Sequence, residues 1–117
     1  MTFERFDVVI VPFPFTDRNA ALRRPAIILS DRADFGQATG QSLMAMVTRA
    51  KKSTWPFDLP LTDLNAAGLS LGCSVRMKFF TLVDALVIRH VGRLATPDQR
   101  ALQGTLARHL GLSGESY

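Results

Sequence analysis

The chain has 117 residues, enough for one hydrophobic core and too few for two, so residues 1–117 are read as a single domain. Hydrophobic residues at 47% and charged residues at 21% exclude an intrinsically disordered chain. No apolar run approaches a membrane span and the start lacks a secretory pattern, which points to a cytoplasmic protein with no membrane partner.

In chain order, Phe6 to Phe15 (FDVVIVPFPF) is β-branched and aromatic and too short for a typical helix, so it reads as a strand buried on both faces. Pro12 and Pro14 lack an N–H on the same side, which places them at a sheet edge or where the strand ends. Thr16 to Arg23 reads as a loop and Arg24 to Ser30 as the second strand, with Pro25 at its start. A polar stretch, Asp31 to Gln41, leads to a third strand at Ser42 to Arg49. Phe57 to Leu61 gives a short fourth strand and Asn65 to Gly72 a small-residue loop. Ser74 to Leu82 alternates Val75, Met77 and Phe79 with Arg76, Lys78 and Phe80, the period of a half-exposed strand. Val87 to Leu94 is the last strand, with Gly92 marking a bulge. Thr96-Pro97-Asp98-Gln99 combines an N-cap, a first-turn proline and a capping glutamine. Leu102, Leu106 and Leu110 then form one buried helical stripe that ends at Gly111. Short strands followed by one helix predict a compact, mostly antiparallel β barrel.

Charge is unevenly placed. The chain carries 14 Lys and Arg against 10 Asp and Glu, a net charge of +4 that favours an anionic partner. From Phe35 to Phe57 there is no acidic residue, yet Arg49, Lys51 and Lys52 cluster there beside Trp55. Leu64 to Val83 likewise carries Arg76 and Lys78 without a carboxylate. Cys73 is the only cysteine, so neither an internal disulfide nor a zinc site of paired cysteines can be built, and it reads as a small apolar filler.

The run from Asp7 to Asp17 (DVVIVPFPFTD), followed by Arg24-Pro25-Ala26 opening an apolar strand, resembles the amino-terminal half of MazF/PemK toxins. Met46-Val47-Thr48, Trp55-Pro56-Phe57, Ser74-Val75-Arg76 and Val91-Gly92-Arg93-Leu94 continue the likeness in order, over nearly the whole chain. The resemblance implies an SH3-like barrel of the MazF/CcdB type with a C-terminal helix, a homodimer, and a cognate antitoxin as partner. It also implies a metal-independent endoribonuclease without cofactors that cuts single-stranded RNA through 2′-hydroxyl attack, leaving a 2′,3′-cyclic phosphate and a 5′-hydroxyl.

By position, the resemblance makes Arg24 and Thr48 the expected catalytic pair. Arginine suits a crowded anionic phosphorus centre because its planar fork donates two parallel hydrogen bonds and stays charged. For the same reason it is a poor general base. Arg23, Arg49, Lys51, Lys52, Arg76 and Lys78 are the expected backbone contacts, and Trp55 or Phe57 offers a stacking surface for an unpaired base. Two features depart from some relatives: Lys78 stands where they carry an acid, and the first loop has no histidine. Asp17 in that loop reads as a turn residue. Two other readings share the barrel: a toxin that binds DNA gyrase, and a passive RNA-binding protein of weak or no activity.

Overall fold

The computed structural model describes residues 2–13, 22–49 and 55–112. Its strands are β1 (Asp7–Phe13), β2 (Leu22–Ile28), β3 (Gln41–Thr48), β4 (Leu59–Pro60), β5 (Ser74–Val83) and β6 (Arg89–Arg93). They form one curled, wholly antiparallel sheet in the order β4-β5-β3-β2-β1-β6, half of a barrel. Helix α3 (Thr96–His109) follows the last strand. Among the described residues no helix is long and apolar enough to cross a membrane.

Period-two alternation builds a core on each face of the sheet. Val8, Ile27, Ala45, Val47, Val75 and Met77 point to the side covered by Leu102 and Leu106 of α3. Val9, Val11, Ala26, Ile28, Met44 and Leu82 point the other way, towards Phe3 and Val87. Strand β1 is therefore buried on both faces, as its uninterrupted apolar run predicts. The prolines sit where no ladder bond is lost. Pro12 pairs with Arg23 on one side, beyond the last residue that β1 pairs with β6, and Pro25 lies just before β2 begins to pair with β3. Pro14 lies outside the described residues.

Several elements differ from expectation. Strand β2 begins two residues early, at Leu22, and ends at Ile28. The polar stretch after it folds into a π-helical turn (Arg32–Gly36) and the short helix α1 (Gln37–Thr39), because Asp31 caps the amide of Asp34 at 2.8 Å. The fourth strand shrinks to Leu59–Pro60, and Phe57 instead adopts a left-handed backbone (φ 63°). The small-residue loop contains helix α2 (Leu64–Ala67), capped by the Asp63 side chain. The last strand is shortened to Arg89–Arg93 by a 3-10 turn at Asp84–Leu86. Its expected bulge is present: Val8 pairs with Gly92 and Val9 with His90, leaving Val91 unmatched. Gly92 also lets α2 close against β6, since a Cβ there would lie 2.4 Å from the Ala67 carbonyl carbon.

The capping box at the start of α3 does not form. Ala95 is the N-cap, without a side-chain cap, and Gln99 donates to the Leu94 carbonyl at 2.7 Å. Asp98, buried to 1% exposure, reaches away from its own helix and accepts from the amides of Thr62 and Asp63 and the Thr62 hydroxyl. A tertiary tie to the β4–α2 connection outcompetes the local cap. Leu102 and Leu106 are buried as the stripe predicts, but Leu110 is 55% exposed because the helix has ended and Gly111 turns the chain at φ 73°.

Candidate functional site

Strands β2 and β3 run from apolar to polar on the face of the second core towards one end of the sheet. On β2 the residues sharing a face are Ile28, Ala26 and then Arg24; on β3 they are Met44, Met46 and then Thr48. Ile28 pairs with Met44 and Ala26 with Met46, and there the β2–β3 ladder stops. Beyond that row the β1–β2 hairpin continues alone, with Arg24 opposite Val11. Arg24 and Thr48 are thus the next residues on two strands that have just parted.

Two open clefts flank this parting, of about 440 and 350 Å³, and Arg24, Val47 and Thr48 line both. Arg23, Arg49 and Cys73 complete the polar wall of the larger cleft; Phe13, Arg76, Lys78 and Phe80 line the smaller. Neither lining contains a carboxylate among the described residues. Among the described residues Arg23, Arg24, Arg49 and Lys78 make no salt bridge. The Arg24 guanidinium lies over the Phe13 ring at 5.1 Å, which holds its apolar face while leaving its edge of N–H donors for a ligand. Cys73 is buried, as its filler reading expects, and donates to the Leu71 carbonyl. Burial pushes its thiol pKa up, partly offset by Arg49.

The opposite wall is organised by an irregularity in β5. Ala45 pairs with Phe79 and Met46 with Arg76, leaving Met77 and Lys78 as a bulge. The indole of Trp55 donates to the carbonyl of bulged Met77 at 3.3 Å, and the cations of Arg76 and Lys78 lie over its ring at 5.4 and 5.8 Å. Trp55 is 40% exposed and Phe57 42%. Phe57 instead packs edge-on against His109, which also meets Phe79, so it belongs to the end of α3. Sequence reasoning missed Asp58, which pairs with Arg76 through two hydrogen bonds. Its signal was faint: one acid just after the Trp55-Pro56-Phe57 run. Lys51, Lys52 and Asp17 lie outside the described residues. Among the described residues no group of three His, Cys, Asp or Glu could hold a metal ion.

The family model of PemK-like, MazF-like toxins of type II toxin-antitoxin systems matches residues 4–110. The chain belongs to this family. Among solved structures it is similar to a MazE–MazF complex from Deinococcus radiodurans, at 22% identity and a TM-score of 0.72, covering 95% of this chain and 97% of that one. MazF alone from the same organism matches at 23% identity and a TM-score of 0.71, over 95% and 98%. An endoribonuclease in complex with its cognate antitoxin from Mycobacterial species matches at 15% identity and 0.71, over 94% of each chain. No curated protein matches significantly. At these identities the likeness to solved structures establishes the MazF-type fold of the chain, a barrel-like antiparallel sheet with a terminal helix.

Proposed function

We propose that this chain is a metal-independent endoribonuclease that cuts single-stranded RNA at selected sequences, inhibits translation and growth, and is restrained by a cognate antitoxin. One observation carries the reading: Arg24 and Thr48 line the same clefts, at a strand junction rimmed by cations and, among the described residues, free of carboxylates in its lining. Membership in the MazF-like toxins, and the endoribonucleases among the similar structures, support it.

In this reading the 2′-hydroxyl oxygen bonds to phosphorus as its proton passes to solvent, while the bond from phosphorus to the 5′-oxygen breaks and that oxygen gains a proton from solvent. A 2′,3′-cyclic phosphate and a 5′-hydroxyl result. Arg24 stabilises the extra charge on the non-bridging oxygens with parallel N–H donors. Thr48 hydrogen-bonds the scissile phosphate or orients the 2′-hydroxyl. Arg23, Arg49 and Lys78 follow the flanking phosphates, together with Lys51 and Lys52, and Trp55 takes an unpaired base against its exposed ring. The chain acts as a homodimer, which light scattering reads directly, and the antitoxin covers the cationic clefts. The protein works in the cytoplasm, where its RNA substrate is.

The test is purified protein with a defined single-stranded RNA in EDTA, beside the same RNA with 2′-deoxy or 2′-O-methyl sugars. Cleavage of the ordinary RNA alone, leaving a cyclic phosphate, is the expected result. Arg24→Ala and Thr48→Ala should each lose most of it with the fold intact, by about 100- to 1,000-fold for the arginine. Binding without cutting would leave a passive RNA-binding barrel, and gyrase inhibition with neither would leave a gyrase toxin.

A further inference from the structure

Of the cations that line the smaller cleft, Arg76 has an acidic partner delivered from outside the cleft lining. Arg76 donates from Nε to Oδ1 of Asp58 at 3.2 Å and from Nη2 to Oδ2 at 3.0 Å. Both side chains are largely withdrawn from water, at 21% and 15% exposure. A bidentate pair of this kind fixes the direction of a guanidinium as well as its position. The Trp55 ring at 5.4 Å restrains the remaining face. The Asp58 hydrogen bond also holds Arg76 more firmly protonated than an ordinary arginine.

The backbone that delivers Asp58 is itself strained. Phe57, immediately before it, sits at φ 63°, a conformation costly for a bulky residue that persists only where its surroundings over-determine it. Those surroundings are visible: His109 meets its ring edge-on at 5.6 Å and Arg108 lies over it at 6.0 Å. The turn sends Phe57 to the helix and returns Asp58 to β5. Asp58 lines neither cleft, whereas Arg76 lines the smaller one.

We infer that Asp58 is a positioning residue, which locks the Arg76 guanidinium into the wall of the smaller cleft so that it meets an RNA phosphate in one fixed orientation. This rests on the nuclease reading above. It predicts a contribution to turnover rather than to affinity. Removing the Asp58 charge does not weaken the attraction of the cleft for RNA, and it frees Arg76 to wander from its productive geometry. A misplacement near 1 Å can cost about 100-fold in rate.

The experiment measures kcat and KM for cleavage by the full chain and by Asp58→Asn, Asp58→Glu, Arg76→Ala and the double variant Asp58→Asn/Arg76→Ala. Thermal melts give the folded fraction of each. The inference expects Asp58→Asn to lower kcat by about 10- to 100-fold with KM unchanged or reduced. It expects Asp58→Glu to recover part of that loss, and the double variant to be no slower than Arg76→Ala alone. Three results overturn it while leaving the nuclease standing. They are an unchanged kcat per folded molecule in Asp58→Asn, a loss that adds fully to that of Arg76→Ala, and a gain in kcat, which would mark Asp58 as a competitor of phosphate for Arg76. A parent chain that cuts no RNA removes the nuclease reading and this inference together.

Discussion

Charge is handled differently at the two ends of β1. Near Asp7 two arginines are matched: Arg93 meets Asp7 at 3.1 Å and Glu4 at 3.5 Å, and Arg32 meets the same Glu4, with the His90 imidazole 3.4 Å from Asp7, while Arg5 makes no salt bridge among the described residues. Near Phe13, where β2 leaves β3, Arg23, Arg24, Arg49 and Lys78 have no such partner among the described residues. Among the described residues these four cations form an unneutralised rim around the clefts, while Arg5, Arg89, Arg100 and Arg108 make no salt bridge elsewhere on the molecule. Paired cations at one end hold β1, β6 and the segment around Glu4 together; unmatched ones at the other keep a field available for a phosphate chain. Arg76 stands between the two classes, inside the cleft and yet paired.

The sharpest way to break this contrast is to remove one arginine from each end. Arg24→Ala is expected to cost the cleavage rate about 100- to 1,000-fold, whereas Arg93→Ala, half exposed in its pairs, should leave cleavage unchanged and lower stability by less than about 1 kcal/mol. Equal losses of rate would erase the distinction between the two ends. Next in size, Asp98→Ala removes a buried carboxylate and leaves the Thr62 and Asp63 amides without their acceptor. It should lower stability by about 2–3 kcal/mol in denaturant unfolding, with cleavage per folded molecule unaltered. Smaller still, Lys78→Ala should weaken RNA binding without changing base preference. It should also reduce the slope of log affinity against log salt by about 0.7–1. A slope unchanged in titrations across salt concentrations would take Lys78 off the phosphate path.

The smallest effect concerns Cys73 in the larger cleft. Burial favours its neutral thiol, so the thiol's contribution to folding is fully present below the ordinary thiol pKa, about 8.5. That contribution is lost as pH rises through the raised folded value. Iodoacetamide modification followed against pH should therefore reach half its maximal rate above that ordinary value. Arg49→Ala should move the midpoint further up, because Arg49 opposes the burial effect. A midpoint at or below the ordinary value would contradict the burial seen around the sulfur.

How much of the site was legible follows from the range of the interactions involved. Arg24 and Thr48 could be nominated by resemblance, and strand periodicity gives the face of each. That the two faces coincide depends on the register of β2 against β3, which no local pattern encodes. Asp58 was passed over because an acid after an aromatic run carries no meaning until β5 lies beside it. Gln99 misled for the opposite reason, since its spacing from Thr96 matched a local cap that the buried Asp98 tie displaces.

The sequence by itself determined the alternation of the strands, the apolar first strand, the leucines at the heart of the helix and the glycine that ends it. These depend on neighbours within a few residues, where backbone geometry alone relates side chain to side chain. Only the tertiary structure decided that the ladder between β2 and β3 would stop beside Arg24 and Thr48, that β5 would bulge at Lys78, and that Asp58 would reach Arg76. Each of those joins segments far apart in the chain, and their pairing is fixed by the packing of two cores against one curled sheet.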